Sequence, residues 1–388
     1  MKKKIVILGS TGSIGKTLIK IITKDKKNFE IKLLTAKNNY KDLIKQAKLF
    51  KVRNIILTDE KAFIASKEIL KKSNINIFND FESFDKIFNN QKIDYTMSAI
   101  SGFEGLNPTL NIIKFTKKIA IANKESIICG WSLIKKNIIK FHTEFLPVDS
   151  EHFSIWSLLN NNQNQNIEKV FLTASGGPFR KYPLSKFKYI TPSKALKHPN
   201  WIMGKKISID SATMMNKVFE VIEAKKIFNL NYKQIEILLH PQSYLHAIVK
   251  FDNGLIKLLA HDTNMSIPIF NTIYSKTKKK IISNKLNLEV INNLNLEHIS
   301  KKRFPVIDIL HLLKNKDSLF ETVIVSANDG LVQLFLANKI KFTDISDMLL
   351  KIINLREFDR LKQITPKNIN EITKLSNYVS LKVNSMCV

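Results

Sequence analysis

The chain is short of cysteine, arginine and long apolar runs, and each shortage excludes something. Its 388 residues include two cysteines, Cys129 and Cys387. Two thiols so placed form neither a metal-ligating spacing nor a disulfide framework, so a reducing, cytoplasmic setting is expected. No stretch approaches the roughly 20 apolar residues of a membrane-spanning helix, so no membrane partner is expected. The opening MKKKIVILGSTG has a basic head, but its apolar run, Ile5 to Leu8, is too short for a signal peptide and reads as a first β-strand. No internal repeat interrupts the chain.

Acidic residues are also scarce beside basic ones, 33 against 62, giving a net charge of +29. Such a balance raises the question of nucleic acid. The basic residues, however, are 57 lysines and only five arginines. Readers of nucleic acid lean on arginine for bidentate contacts. The lysines are scattered, with short runs only at Lys2 to Lys4 and Lys278 to Lys280. No specific nucleic-acid partner is expected, only salt-sensitive binding to polyanions.

What is present is a regular alternation of strand-like and helix-like segments up to about Leu146. KIVIL, FEIKLLTA, NIILT, DYTMSAI and KIAIAN read as strands, with helices over Ile14 to Thr23 and Tyr40 to Phe50. Strands separated by helices predict a parallel, doubly wound sheet. The polar run NNNQNQN at 160–166 reads as an exposed loop. A polar stretch from 275 to 302 reads as a linker, and from 303 to 388 the periodicity is helical. The expected division is 1–147, 148–274, a linker at 275–302, and 303–388.

The first strand runs into GSTGSIG, with glycines at Gly9, Gly12 and Gly15. Strand, glycine turn and helix start together describe a dinucleotide pyrophosphate site. A tight turn without a ligand would share the pattern. An NAD site usually ends its second strand with an acid for the ribose 2′-hydroxyl. Here that strand ends Thr35-Ala36-Lys37-Asn38. The missing acid and the lysine suit the 2′-phosphate of NADP, although a solvated lysine is common in so lysine-rich a chain.

LPVDSEHF, at 146–153, places Asp149 and Glu151 on either side of Ser150. If this segment is extended, the two carboxylates share a face, and such a pair repels unless a cation sits between. Further on, HPNWIMGKKISIDSATMMNKVFEVIEAKKIF predicts a helix from about Ala212, capped by Asp210 or Ser211. On it Thr213, Asn216, Lys217 and Glu220 share one arc. That arc also fits an ordinary helix facing water. Read functionally, the cap and Lys217 make an anion site. Glu220 supplies a third carboxylate to Asp149 and Glu151, a hard donor set suited to one Mg²⁺ or Mn²⁺. SGGPF, beginning at Ser175, has the glycines and hydroxyl to meet a phosphate. HPNWIMG, with His198, Trp201 and Gly204, reads as a lid. His240, His246 and His261 read as structural.

GSTGSIG, ANKES, LPVDSEH, SGGPFR, HPNWIMGKKISIDSATMMNK and LLHPQS, in this order, together resemble the 1-deoxy-D-xylulose 5-phosphate reductoisomerase family. RFPVIDIL, SAND and IKFTDI extend the resemblance toward the C-terminus. It implies an α/β fold with a Rossmann-like NADPH-binding domain, a central α+β catalytic and dimerising domain, a C-terminal helical bundle, and a homodimer. It implies a sugar phosphate substrate whose carbon skeleton rearranges by retro-aldol and aldol steps, metal-assisted. NADPH then reduces the branched aldehyde to 2-C-methyl-D-erythritol 4-phosphate, a step of non-mevalonate isoprenoid synthesis.

The resemblance further implies that Thr11, Gly12, Ser13 and Ile14 meet the NADPH pyrophosphate. Ala36, Lys37 and Asn38 lie at its adenosine end, and Asn123, Glu125 and Gly204 touch it elsewhere. Lys124 and Ser150 would reach the substrate. Asp149, Glu151 and Glu220 would hold the metal. Ser175, Ser211, Asn216 and Lys217 would grip the phosphate, and His198 and Trp201 would close over it. The chain departs from the family pattern at Ala36, Asn264, Ser266, Val325 and Asp329, which touches dimer packing and supporting contacts more than chemistry. Without the resemblance, the residues also fit another NADP-dependent sugar-phosphate or semialdehyde dehydrogenase, which needs no metal.

Overall fold

In the computed structural model, residues 2–159, 166–201, 203–274 and 278–387 are described. The chain forms two compact units. The expected loop at 160–166 lies almost wholly outside the described residues.

The first unit comprises Met1–Ile127, Leu133–Asp149 and Met265–Ile281. Its strands are β1 (Lys3–Leu8), β2 (Phe29–Ala36), β3 (Asn54–Leu57), β4 (Asn76–Phe78), β5 (Tyr95–Ser98), β6 (Lys118–Ile121) and β7 (Glu144–Pro147). They form one parallel sheet in the order β4-β3-β2-β1-β5-β6-β7. Order reverses beside β1, the switch point at which such sheets bind ligands. The central strand shows why it is central: Ile5, Val6, Ile7 and Leu8 are completely buried, as a strand covered on both faces requires. The helix Ser13–Thr23 buries Leu18, Ile19 and Ile22 on one stripe. The helix Tyr40–Phe50 begins where the Asn39 side chain caps the Asp42 amide and ends at Lys51 in a left-handed conformation.

Two strands of this sheet, β4 and β7, escaped the sequence reading. Both are short, and edge strands need little hydrophobic pattern. The unit also takes back a segment that sequence had assigned elsewhere. The helix Ser266–Ile273 returns here, where the Tyr95 hydroxyl bonds to Thr272 at 2.9 Å and Lys3 donates to the Ile273 carbonyl at 2.7 Å. The expected boundary at 274/275 therefore differs from the structural one near residue 264.

The second unit contains β8 (Ile167–Ala174), β9 (Ile235–Leu239), β10 (Leu245–Phe251), β11 (Ile256–Ala260) and β12 (Glu297–His298). Their order is β11-β10-β8-β9-β12, mixed in direction, with β8 and β9 parallel and the other pairs antiparallel. β12 falls inside the stretch expected to be a linker, which also carries a short helix, Leu288–Asn292. The C-terminal part is helical as expected, with helices Phe320–Leu336, Phe342–Ile353 and Ile369–Cys387. Arg303 ties this region in by donating to the carbonyls of Phe179 at 2.8 Å and Tyr182 at 2.6 Å. Among the described residues no helix is long and apolar enough to cross a membrane.

Candidate active site

The glycine turn lies where β1 ends. Gly9 has φ +78°, and a Cβ there would approach the Ala99 carbonyl oxygen to 2.7 Å. A Cβ on Gly15 would lie 2.4 Å from the Gly9 oxygen, so the turn closes only without side chains. Thr35 braces it, its Oγ1 accepting from the Gly9 amide and its carbonyl from the Ser10 amide, both at 2.9 Å. The helix Ser13–Thr23 then starts from Gly12 with no side-chain cap. Gly12 and Ser13 are exposed and Thr11 and Ile14 half-buried. Uncapped amides at a helix start, in a cradle that a Cβ would fill, fit a pyrophosphate.

Ala36 closes β2 in the core, and Lys37 and Asn38 follow it into solvent. The Lys37 ammonium donates to both carboxylate oxygens of Glu104, at 2.8 and 3.0 Å. Asn123 is buried and caps the helix Lys124–Phe141, its Oδ1 accepting from the Ser126 amide at 2.6 Å. Its Nδ2 donates to the Gly102 carbonyl at 2.7 Å and to that of Ile100. Lys124 and Glu125 are buried in the first turn, and Lys124 forms an ion pair with Asp149.

The DSE segment is not extended. β7 stops at Pro147, Asp149 lies in a bend, and a helix, Ser150–Leu159, begins at the serine. Shared strand face is therefore not what relates Asp149 to Glu151. They straddle a strand-to-helix turn, and Glu151 sits in the first turn of that helix. A second correction concerns the long motif. It forms two helices, Lys205–Thr213 and Met215–Phe228, joined by Met214 at φ +73°. Asp210 and Ser211 lie in the last turn of the first helix and cap nothing. The helix that carries Lys217 therefore starts at Met215 without the expected side-chain cap. Nor does the polar arc face water: Lys217 and Glu220 are buried and Asn216 half-buried.

Instead, the second unit builds a buried charge cluster. Lys217 Nζ donates to Glu151 Oε1 at 2.7 Å and also to Glu220. Asn216 Nδ2 donates to the other Glu220 oxygen at 2.5 Å, and the Ser150 hydroxyl donates to Glu151 Oε2 at 2.6 Å. Burial alone would lower the Lys217 pKa, but the two carboxylates outweigh it and hold the ammonium above its ordinary value. Two carboxylates thus accept from the one ammonium. A hydroxyl and two carboxylates brought together in this way are a hard oxygen donor set that fits a divalent cation.

A second cluster is made by the lid segment. His198 Nδ1 accepts from the amides of Asn200 at 3.1 Å and Trp201 at 3.0 Å. That nitrogen is thus unprotonated. Burial pushes the His198 pKa down to about 4, so the ring is neutral with its proton on Nε2. Nε2 lies 3.0 Å from Ser175 Oγ, which also accepts from the Gly177 amide at 3.1 Å. With both acceptor positions of its oxygen engaged, the Ser175 hydroxyl proton points elsewhere. Gly177, at φ +65°, brings this turn against Ser211, whose carbonyl oxygen would lie 2.9 Å from a Cβ there. Asn200 anchors the segment by donating to Pro241 O at 2.7 Å and Ser243 Oγ at 2.8 Å. Gly204 is exposed at the start of the next helix.

His246 was read as structural from the sequence, and the structure gives it a larger place. Its ring meets Trp201 edge-on at 6.1 Å and stacks on His261 at 3.8 Å. Burial lowers its pKa to about 3, with further lowering by His261 and an opposing effect from Glu151. It thus lies between the two clusters. Only alternation along β10 marked its position, and alternation does not distinguish a site residue from core. His240 bonds to the Asn295 carbonyl at 3.2 Å, as a structural residue would.

A parallel sheet with an uncapped glycine turn at its switch point, together with a buried carboxylate–lysine cluster, fits the class of dinucleotide-dependent oxidoreductases. Comparison with known proteins narrows the class. Three family models match: 1-deoxy-D-xylulose 5-phosphate reductoisomerase over residues 5–130, its C-terminal domain over 145–228, and the DXP reductoisomerase C-terminal domain over 261–380. The chain is 66% identical over 387 residues to the 1-deoxy-D-xylulose 5-phosphate reductoisomerase of Pelagibacter ubique, covering 100% of both. It is similar to the solved structure of the Zymomonas mobilis enzyme in complex with NADPH, with TM-score 0.89, 30% identity, and 100% and 99% of the chains covered. A DOX-P reductoisomerase solved with NADPH, fosmidomycin and magnesium matches with TM-score 0.90 and 27% identity over 99% and 98%. The chain belongs to the 1-deoxy-D-xylulose 5-phosphate reductoisomerase family.

Proposed function

We propose that this chain converts 1-deoxy-D-xylulose 5-phosphate to 2-C-methyl-D-erythritol 4-phosphate, using NADPH and one Mg²⁺ or Mn²⁺. The observation that carries this reading is the convergence of Glu151, Glu220, Asn216 and Ser150 around the Lys217 ammonium. Asp149, Glu151 and Glu220 would hold the cation, since Asp149 and Glu151 flank the serine that opens one helix. When bound, the cation supplies Lewis acidity to the substrate's carbonyl and hydroxyl oxygens, and NADPH supplies the hydride.

Donor counting supports the same reading for the phosphate contacts. Lys217 has three N–H groups, and two described contacts use two of them. One of the two amide protons of Asn216 goes to Glu220. The remaining donors, the redirected Ser175 hydroxyl and Ser211 suit a phosphate. Binding there, away from the reacting carbons, supplies orientation. Neutral His198 holds Ser175 and, with Trp201, covers the substrate, keeping water from an aldehyde intermediate. Lys124 would reach the substrate, and Asn123, Glu125 and Gly204 would border the cofactor.

A dinucleotide domain, a catalytic domain and a helical C-terminal domain, working in the cytoplasm as a homodimer, belong to the same reading. What supports the dimer is the edge strand β11, whose Ile256 and Leu258 are exposed, with Leu255 exposed just before it. An uncovered apolar edge is a pairing surface for a second copy. The test is an assay of reduced-nicotinamide absorbance with purified protein, 1-deoxy-D-xylulose 5-phosphate and Mg²⁺, with and without chelator. Metal-dependent oxidation is expected. Oxidation that survives chelation would point to a metal-independent dehydrogenase instead.

A further inference from the structure

The cation at the end of β2 is already engaged by a carboxylate from another loop. Lys37 and Glu104 are 67 positions apart, and their contact is two-pronged, at 2.8 and 3.0 Å. Side-chain exposure is 62% for Lys37 and 67% for Glu104, so neither is driven into the pair by burial. The loop that carries Glu104 is nevertheless fixed. Gly102 turns at φ +76°, and its carbonyl accepts from Asn123 Nδ2 at 2.7 Å. Gly105 approaches the same amide so closely that a Cβ would lie 2.5 Å from it. Its carbonyl accepts from Thr109 Oγ1 at 2.6 Å. Glu104 is thus presented from a turn pinned on both sides.

We propose that Glu104 is a specificity-determining residue, competing with the cofactor's 2′-phosphate for Lys37 and thereby narrowing the preference for NADPH over NADH. This rests on the assignment of NADPH to the glycine cradle and of its 2′-phosphate to Lys37. A carboxylate and a phosphate cannot both take the same ammonium at close range without repelling each other. Binding of NADPH must therefore break the Lys37–Glu104 contact, whereas NADH, which carries a hydroxyl there, has no need to. The chain lacks the acid that usually ends the second strand. Glu104 restores a carboxylate to that neighbourhood from the loop after β5.

The size of the effect follows from exposure. A solvated ion pair is worth little, so its removal should tighten NADPH by about two- to fivefold. The test is equilibrium titration of the intact protein with NADPH and with NADH, followed by quenching of protein fluorescence. Wild type, Glu104→Gln, Lys37→Ala and the double variant are compared at low and high salt. Glu104→Gln is expected to tighten NADPH and not NADH. The gain should shrink at high salt and vanish when Lys37 is already alanine. An unchanged or weaker NADPH affinity in Glu104→Gln, or an equal gain for both cofactors, would overturn the proposal. If wild type binds NADPH and Lys37→Ala selectively weakens it while Glu104→Gln changes nothing, only the role of Glu104 falls. If wild type does not bind NADPH, the cofactor assignment falls with it.

Discussion

Replacing Glu220 by glutamine probes the centre of the cluster with almost no change in shape. Glu220 is 1% exposed, and both of its carboxylate oxygens accept hydrogen bonds, one from Asn216 and one from Lys217. Glutamine offers one acceptor oxygen and one NH₂ group. Whichever way the amide turns, its NH₂ faces a donor. That mismatch should cost about 1–3 kcal/mol of stability, the usual penalty for a buried polar group left unsatisfied. The variant also loses the negative charge that holds the cation. Supporting residues around metals typically change affinity by about 10- to 100-fold, and a direct ligand should exceed that. The measurements are Mn²⁺ titration, turnover with Mg²⁺, NADPH binding and thermal unfolding of both proteins. Turnover and metal affinity should collapse together, while NADPH affinity stays. Full turnover with unchanged Mn²⁺ affinity would refute the ligand assignment and leave Glu220 as a partner of Lys217 only.

Three further outcomes are expected. Lys37→Ala should weaken NADPH far more than NADH in direct titration, and equal losses would remove Lys37 from the 2′-phosphate. Gly15→Ala should abolish stabilisation by NADPH in a thermal-shift assay, since its new methyl lies 2.4 Å from the Gly9 oxygen; a normal shift would show that the turn relaxes. The folded pKa of His246, about 3, lies below its ordinary 6.5, so the unfolded chain takes the proton first as pH falls. Its contribution to stability is therefore lost progressively from about pH 6.5 downward, by up to about 1.4 kcal/mol per unit. Urea unfolding between about pH 7 and 5 should show a shallower decline in His246→Gln, and parallel declines would contradict this.

Much of the fold was legible because its signals are local. FEIKLLTA is β2 to the residue, and Tyr40 to Phe50 is a helix with both ends as expected. The glycine turn was legible because backbone closure there depends on the absence of side chains. The break at Met214 was not, because nothing in ATMMNK marks a left-handed residue, and a methionine at φ +73°, here buried, is an uncommon choice for one. Two inferences changed: Ser211 lies in the last turn of one helix instead of capping the next, and the polar arc is a buried cluster. The return of Ser266–Ile273 to the first unit was hidden for a similar reason. Its anchors, Thr272 to Tyr95 and Ile273 to Lys3, join positions far apart in the chain.

The hydrogen bonds around Ser175 amount to a filter on what can dock beside it. Its oxygen accepts from His198 and Gly177, so the hydroxyl enters any ligand contact as a donor only. A ligand atom there must be a bare acceptor. A fully ionised phosphate or phosphonate always presents one. A neutral amide, with an N–H, can turn the wrong atom toward the serine and set a donor against a donor. Inhibitor chemistry that masks the anion should thus lose affinity through geometry as well as charge, and polarity fixed by two neighbours does the excluding without any steric wall.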